Sequence, residues 1–79
     1  MVSESDLVEG REYIIMKNNL PLYTCLYVGK KMELNDETRL TEFIVFLRFN
    51  KLLNEYHEEG YELKDGHRID STISIVCLW

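Results

Sequence analysis

The sequence has no long apolar run. Its 79 residues contain no uninterrupted apolar stretch approaching the ~20 residues that a membrane-spanning helix needs. The polar residues 1–10 lack the basic-then-apolar order of a signal peptide. Glycine and proline are also scarce, at four and one residues, so the composition is that of a globular chain and not of a disordered one. We therefore expect one cytoplasmic domain over residues 1–79, with no membrane segment and with residues 1–10 as a polar N-terminal arm.

Basic residues are outnumbered. Lysine and arginine together number 9 against 14 aspartates and glutamates, which gives a formal net charge of −5. This balance opposes the neutralisation of phosphates that supplies most nucleic-acid affinity, so a nucleic-acid partner is not expected. One alternative stays open, because Lys30, Lys31 and Arg48 lie near aromatic residues and would bind an anionic ligand or a nucleic acid if they formed a patch. Charged residues on solvated strand edges are the ordinary interpretation of the same pattern.

Cysteine and histidine, which build many catalytic and metal sites, are few. Cys25 and Cys77 are typical of buried thiols in an intracellular chain. Cys25 alternates with tyrosines on a predicted core strand, and neither His57 nor His67 has the helical i, i+4 or C-x-x-C spacing that fixes metal ligands. The four glycines are scattered and form no phosphate-binding loop. We therefore predict that the protein is not an enzyme and holds no cofactor or metal.

Several segments have the composition of β-strands. Residues 11–17 hold consecutive apolar side chains, as in a strand that is covered on both faces. Residues 22–34 and 71–79 place side chains alternately on two faces, with many aromatic and β-branched residues. These patterns predict that most of the chain forms a sheet.

Turn residues separate the predicted strands. Asn18 and Asn19 tolerate positive φ and follow the first strand. The dipeptide Asp65-Gly66 is one of the strongest short signals for a β-hairpin. Gly29 lies inside the second strand, where a glycine indicates a bulge or a bend.

Residues 40–47, LTEFIVFL, permit two interpretations. In one, a long helix begins here, capped by Asp36 or Thr38, and runs unbroken to Glu59. The first half of such a helix would be apolar nearly all round, which a chain of this length has little means of covering. We favour a strand over residues 41–47, because aromatic and β-branched side chains suit a sheet.

The next segment predicts one well-marked helix. On a helical wheel, Phe49, Leu52, Leu53 and Tyr56 share one stripe, opposite polar residues. Gly60 follows and supplies the left-handed conformation that commonly ends a helix. The predicted fold class is therefore α+β, a small and mainly antiparallel sheet of about five strands covered by one principal helix.

Two resemblances accompany this prediction. Residues 52–55, LLNE, followed by residues 59–63, EGYEL, resemble a family of very small bacterial and phage domains of uncharacterised function. The resemblance implies a strand before the helix and two strands after it, with the helix lying on the sheet. Residues 9–14, EGREYI, which enter the first strand, resemble SH3-like small barrels. Neither resemblance assigns functional residues.

The apolar content exceeds what one short helix is able to cover. Residues 13–16 and 43–47 are apolar on both faces, so part of this surface is expected to meet another chain. The predicted function is a small, non-enzymatic protein-interaction module, acting as a phage or viral accessory protein that binds another protein or itself as a homodimer. The predicted partner-binding residues are Phe43, Val45 and Trp79.

Overall fold

Six β-strands occupy most of the chain in this computed structural model, which describes residues 1–35 and 39–78. The strands are β1 (Glu12–Lys17), β2 (Leu20–Asn35), β3 (Arg39–Asn50), β4 (Glu55–Lys64), β5 (His67–Arg68) and β6 (Ile73–Cys77). They form one antiparallel sheet in the order β5-β4-β3-β2-β1-β6. A 3-10 turn, Glu4–Asp6, precedes them. No helix in the described part of the chain is long and apolar enough to cross a bilayer.

The predicted α+β class is wrong, because the described residues form a small β domain without the principal helix. Residues 51–54 are a turn, and the segment after them is strand β4. Asn54 has a φ of 51°, a left-handed conformation that a right-handed helix does not contain. Gly60, predicted to end the helix, lies inside β4. The prediction failed because a helical stripe and the tip of a hairpin place the same apolar residues close together.

The two predicted turns are confirmed. Asn18 and Asn19 join β1 to β2 with φ values of 51° and 65°. Asp65 and Gly66 join β4 to β5 with φ values of 54° and 81°. Positive φ at both central residues is the geometry of a type I′ turn, whose twist matches that of the flanking strands.

The predicted strand over residues 41–47 is confirmed as part of β3, which excludes a long helix starting there. The predicted bulge at Gly29 is also confirmed. The register between β2 and β3 shifts between Tyr27 and Gly29, and Gly29 has a φ of 139°. The bulge changes which residues of β2 face the core on its two sides.

The sheet curls so that its two ends approach each other. β1 pairs with β2 on one side and with β6 on the other, while residues 69–72 link β6 to β5 at the opposite end of the strand order. So short a link forces the two ends together. The N-terminal segment covers the seam, because the Val2 amide donates to the Ile75 carbonyl at 2.8 Å and Glu4 pairs with Arg68 of β5.

The concave face of the curled sheet is the hydrophobic core. Its buried side chains are those of Tyr13, Ile15, Cys25, Tyr27, Ile44, Phe46, Leu63, Ile73 and Ile75. Val2 and Leu7 of the N-terminal segment pack against this cluster. Because successive side chains of a strand point to opposite faces, Leu26, Leu47 and Phe49 lie on the outer face.

Candidate docking surface at the β3–β4 hairpin

The hairpin of β3 and β4 ends in a group of exposed apolar side chains. Phe49 and Tyr56 face each other across the two strands, with ring centroids 5.1 Å apart in an edge-to-face arrangement. Leu52 and Leu53 lie in the turn and are 96% and 61% exposed. We call these four residues, Phe49, Leu52, Leu53 and Tyr56, the apolar tip. Large apolar side chains grouped in this way on a surface indicate a contact site.

Hydrogen bonds hold the backbone of the tip in one conformation. The side-chain oxygen of Asn50 accepts the amide hydrogens of Leu52 and Leu53, at 3.0 and 3.3 Å. Asn54 closes the turn with its positive φ, a conformation that asparagine tolerates better than most residues. The two leucines are therefore presented by an ordered turn.

A shallow groove of about 240 Å³ continues from the tip along the outer face. Leu26 and Leu47 are paired across β2 and β3 at its floor and are half-buried. The groove is lined by Glu12, Thr24, Cys25, Leu26, Leu47, Phe49 and Tyr56. Tip and groove together form one continuous, mostly apolar surface.

Two of the predicted partner-binding residues, Phe43 and Val45, lie elsewhere on the same face. Val45 is buried, 6% exposed, and is paired with Gly29 on one side and Gly60 on the other. Phe43 is half-buried and its ring covers Gly60, since a Cβ placed on that glycine would lie 3.7 Å from the ring. Trp79 lies outside the described residues. Phe43 and Val45 stand on the strand that carries the tip, but they are less exposed than its leucines.

The structure does not gather the three predicted anion-binding residues into one patch. Lys30 and Lys31 are successive residues of β2 and so point to opposite faces. The Nζ atom of Lys31 lies 3.1 Å from Glu33. Arg48 stacks on the ring of Tyr23, 4.6 Å from its centroid, and its Nη1 lies 3.8 Å from a Glu59 oxygen.

Cys25 is a core residue and not an exposed nucleophile. Its sulfur donates a hydrogen bond to the Tyr13 carbonyl at 3.6 Å. Burial, assisted by the negative charge of Glu59, raises the pKa of the Cys25 thiol to about 12. The thiol therefore stays protonated near neutral pH, whereas the thiolate is the reactive form. Cys77 lies two strands away, because Tyr13 of β1 pairs with both cysteines.

The polar side chains of Tyr23, Tyr61 and His57 on the concave side contact other side chains of the sheet. The hydroxyl groups of Tyr23 and Tyr61 form a hydrogen bond, and burial raises the pKa of both tyrosines. The Nε2 atom of His57 lies 3.5 Å from a Glu55 oxygen, while His67 is exposed on β5. Across residues 1–35 and 39–78, no group of three or more His, Cys, Asp or Glu side chains is arranged to hold a metal ion.

A second cavity, of about 680 Å³, opens beside the seam of the sheet between residues 1–4 and residues 67–74. Its charged groups include Glu4 and Arg68, which are paired with each other, and Asp70. The Asp70 carboxylate accepts hydrogen bonds from the amide, at 2.9 Å, and the hydroxyl, at 2.5 Å, of Thr72. These bonds lower the pKa of Asp70. Because these charged groups already have partners, the cavity is a weaker candidate than the apolar tip.

The sequence pattern groups the four tip residues but predicts that they share the apolar stripe of a helix. The available signal for a hairpin was the pair of asparagines, Asn50 and Asn54, that flank Leu52 and Leu53. Asparagine before and after a short apolar pair is a turn pattern as well as the interior of a weak helix.

Comparison of the chain with protein-family models, curated proteins and solved structures finds no match. The resemblances to the small bacterial and phage domains and to SH3-like barrels therefore stay predictions.

Proposed function

We propose that this protein is a non-catalytic interaction module that docks on a partner protein through the apolar tip and the groove beside it. The observation that carries the proposal is the 96% exposure of Leu52 in a turn whose conformation is fixed by Asn50. Because the fold leaves this leucine in solvent, the free energy gained by burying its side chain is available to binding.

The energetics of the tip favour association. Burying one leucine or aromatic side chain contributes roughly 1.5–3 kcal/mol. Such residues concentrate binding energy when they fill a pocket on the partner. Because hydrogen bonds already order the turn at Leu52 and Leu53, little additional backbone entropy is lost on binding.

Charge favours a protein over a phosphate-bearing partner. Residues 49–58 contain Lys51 together with Glu55 and Glu58, and the whole chain carries a net charge of −5. Negative charge beside the tip disfavours docking on a nucleic acid or on an anionic lipid surface. The protonated thiol of Cys25, with its pKa raised to about 12, is consistent with a module that performs no covalent chemistry.

A peptide-display selection tests the proposal. Random peptides are selected on the wild-type protein and on the double variant Leu52→Ser/Leu53→Ser. The matched control is Leu20→Ser/Leu34→Ser, which alters two leucines that are 69% and 65% exposed elsewhere on the surface. We expect wild type and control to retain the same peptides, each carrying a large apolar residue, and half-maximal binding to weaken only modestly with added salt.

The tip variant is expected to bind these peptides at least about tenfold more weakly, which corresponds to a loss of about 1.4 kcal/mol of binding free energy. Equal retention by the tip variant would contradict the proposal, as would failure of the wild-type protein to retain any peptide. Binding that weakens steeply with salt and survives the tip substitutions would instead support an electrostatic, anion-binding function.

A further inference from the structure

Most of β4 pairs with a neighbouring strand on only one of its two sides. Its near side pairs with β3 from Glu55 to Leu63. On its far side, pairing with β5 is limited to Leu63 and Lys64, and one further bond runs from the Ile69 amide to the Glu62 carbonyl at 3.1 Å. Within the described ranges, no strand borders the far side of residues 55–61. This stretch is an open sheet edge, the kind of template on which an added strand pairs.

The direction of the backbone groups on this edge follows from the Ile69 bond. Because the Glu62 carbonyl points away from β3, the N–H and C=O groups of every second residue along β4 point the same way. These residues are Tyr56, Glu58 and Gly60. No strand of residues 1–35 or 39–78 pairs with these groups, so they offer an added antiparallel strand regularly spaced hydrogen bonds.

The same residues have their side chains on the outer face. Tyr56 pairs with Phe49, Gly60 with Val45 and Glu62 with Phe43, all on that side of the sheet. The open edge therefore starts at the apolar tip and runs away from it. An added strand would continue the docking surface without a break.

Charge selects the kind of strand that fits. Glu58 and Glu62 are exposed on this edge, and neither has an ion-pair partner within 4.0 Å among the described residues. Lys31 lines a pocket with Glu58, but its ammonium group is ion-paired with Glu33. A second copy of β4 paired antiparallel about Gly60 would set Glu58 of each chain opposite Glu62 of the other, and like charges directly opposite are destabilising. Lysine or arginine in those positions would be attracted instead.

We infer that the open edge of β4 receives an extended, basic segment of the partner protein as an added antiparallel strand. The inference rests on the proposed function, because the same segment places an apolar residue against the tip. Basic side chains on alternate residues then lie on the outer face beside Glu58 and Glu62. Specificity comes from this alternation, while the backbone hydrogen bonds set the register.

A pair of N-methylated peptides tests the added strand. The probe is a short acetylated and amidated peptide in which lysine alternates with threonine and which ends in phenylalanine. In an antiparallel pair, two residues that lie directly opposite each other either exchange two hydrogen bonds or exchange none. The residues opposite Glu58 and Glu62 belong to the first kind, because the backbone groups of both glutamates point toward the added strand. The lysines beside Glu58 and Glu62 must therefore point their own N–H groups at β4, while the threonine N–H groups point away.

The two isomers carry N-methyl groups on the lysines or on the threonines. We expect methylation of the lysines to weaken binding at least about tenfold and methylation of the threonines to weaken it much less, as measured by fluorescence anisotropy. Equal affinities of the two isomers, or the reverse order, would overturn the inference. An acidic analogue with glutamate in place of lysine should bind more weakly than the unmethylated probe and more weakly than the threonine-methylated isomer.

Charge-reversal variants separate this inference from the proposed function. Glu58→Lys should weaken binding of the lysine probe at least about tenfold, whereas Asp6→Lys makes the same change of net charge at an exposed position of the N-terminal 3-10 turn and should have little effect. If selected peptides depend on Leu52 and Leu53 but are indifferent to N-methyl position and to Glu58→Lys, the edge inference fails and the docking function stands. If no peptide depends on Leu52 and Leu53, the function itself fails.

Discussion

The guanidinium group of Arg68 lies against the carboxylate of Glu4, with 2.7 Å between Nη1 and Oε1, and both side chains are largely buried. The Arg68 amide donates to the same oxygen at 3.2 Å, and its Nε donates to the Ile73 carbonyl at 3.0 Å. One arginine thus joins the N-terminal segment, β5 and the start of β6. This cluster closes the seam between the two ends of the sheet.

Glu4→Ala is expected to lower the free energy of unfolding by about 3 kcal/mol, because removal of one member of a buried pair leaves an uncompensated charge. Urea denaturation measures the loss. The control is Glu33→Ala, which removes a pair of similar length, 3.1 Å to Lys31, whose side chains are about half exposed. That change should cost less than about 1 kcal/mol. Equal losses from the two variants would contradict the role assigned to the seam.

Gly29 and Gly60 should respond in opposite ways to a methyl group. Gly29 has a φ of 139°, and an added Cβ would approach a Glu9 oxygen to 2.5 Å. Gly29→Ala should therefore destabilise the protein by about 1–3 kcal/mol. At Gly60 an added Cβ would meet the Phe43 ring at an ordinary 3.7 Å, so Gly60→Ala should be neutral or stabilising. Thermal or urea denaturation of both variants measures these effects. A larger loss of stability from Gly60→Ala than from Gly29→Ala would contradict the prediction.

Asn50 should be more important to the stability of the tip than the leucines it orders. Asn50→Ala removes the acceptor of two amide hydrogen bonds and should cost about 1 kcal/mol. Leu52→Ala changes a side chain that is 96% exposed and should alter stability by less than about 0.5 kcal/mol. Denaturation curves that reversed this order would show that Leu52 packs in solution.

Stability should fall in alkaline solution. Burial raises the pKa of Cys25 from its ordinary value of 9.0 to about 12, so the unfolded chain loses this proton first as the pH rises. The corresponding stabilisation is fully present below pH 9 and is lost as the pH rises from 9 toward 12. The raised pKa values of Tyr23 and Tyr61 act in the same direction.

Urea denaturation at a series of pH values above neutrality measures this decline. The variant Cys25→Ser lacks the titrating thiol and should show a shallower decline, whatever its absolute stability. An identical slope in the variant and in the wild-type protein would show that Cys25 does not contribute.

Local signals in the sequence predict the β-hairpins well. Asn18-Asn19 and Asp65-Gly66 are turn residues because their backbone tolerates positive φ, and the structure confirms both turns. Such signals depend on a few adjacent residues. These turn predictions therefore hold regardless of the structure of the rest of the chain.

The segment from Phe49 to Gly60 shows where a local pattern is insufficient. Apolar residues spaced as Phe49, Leu52, Leu53 and Tyr56 are neighbours on a helix, but Phe49 and Tyr56 are equally neighbours when they pair across a hairpin. The choice between the two depends on β3, which offers β4 a complete antiparallel ladder. That pairing is a property of the whole sheet and cannot be read from the segment alone.

The proposed docking surface differs in place from the one that the sequence pattern predicts. Excess apolar surface indicated a partner, and the sequence pattern directed attention to Phe43, Val45 and Trp79. In the structure Val45 is buried between Gly29 and Gly60, whereas Leu52 and Leu53 project from a turn and are 96% and 61% exposed. Exposure is determined by the fold, which the composition of a segment does not reveal.

The most direct measurement of the central claim is the mapping of amide chemical shifts while the most strongly selected peptide is added to isotope-labelled protein. The docking account predicts that the largest changes occur at residues 49–56 and along the outer face of β4. Changes confined to residues 67–74 and the cavity beside the seam, with the amides of Leu52 and Leu53 unaffected, would contradict it.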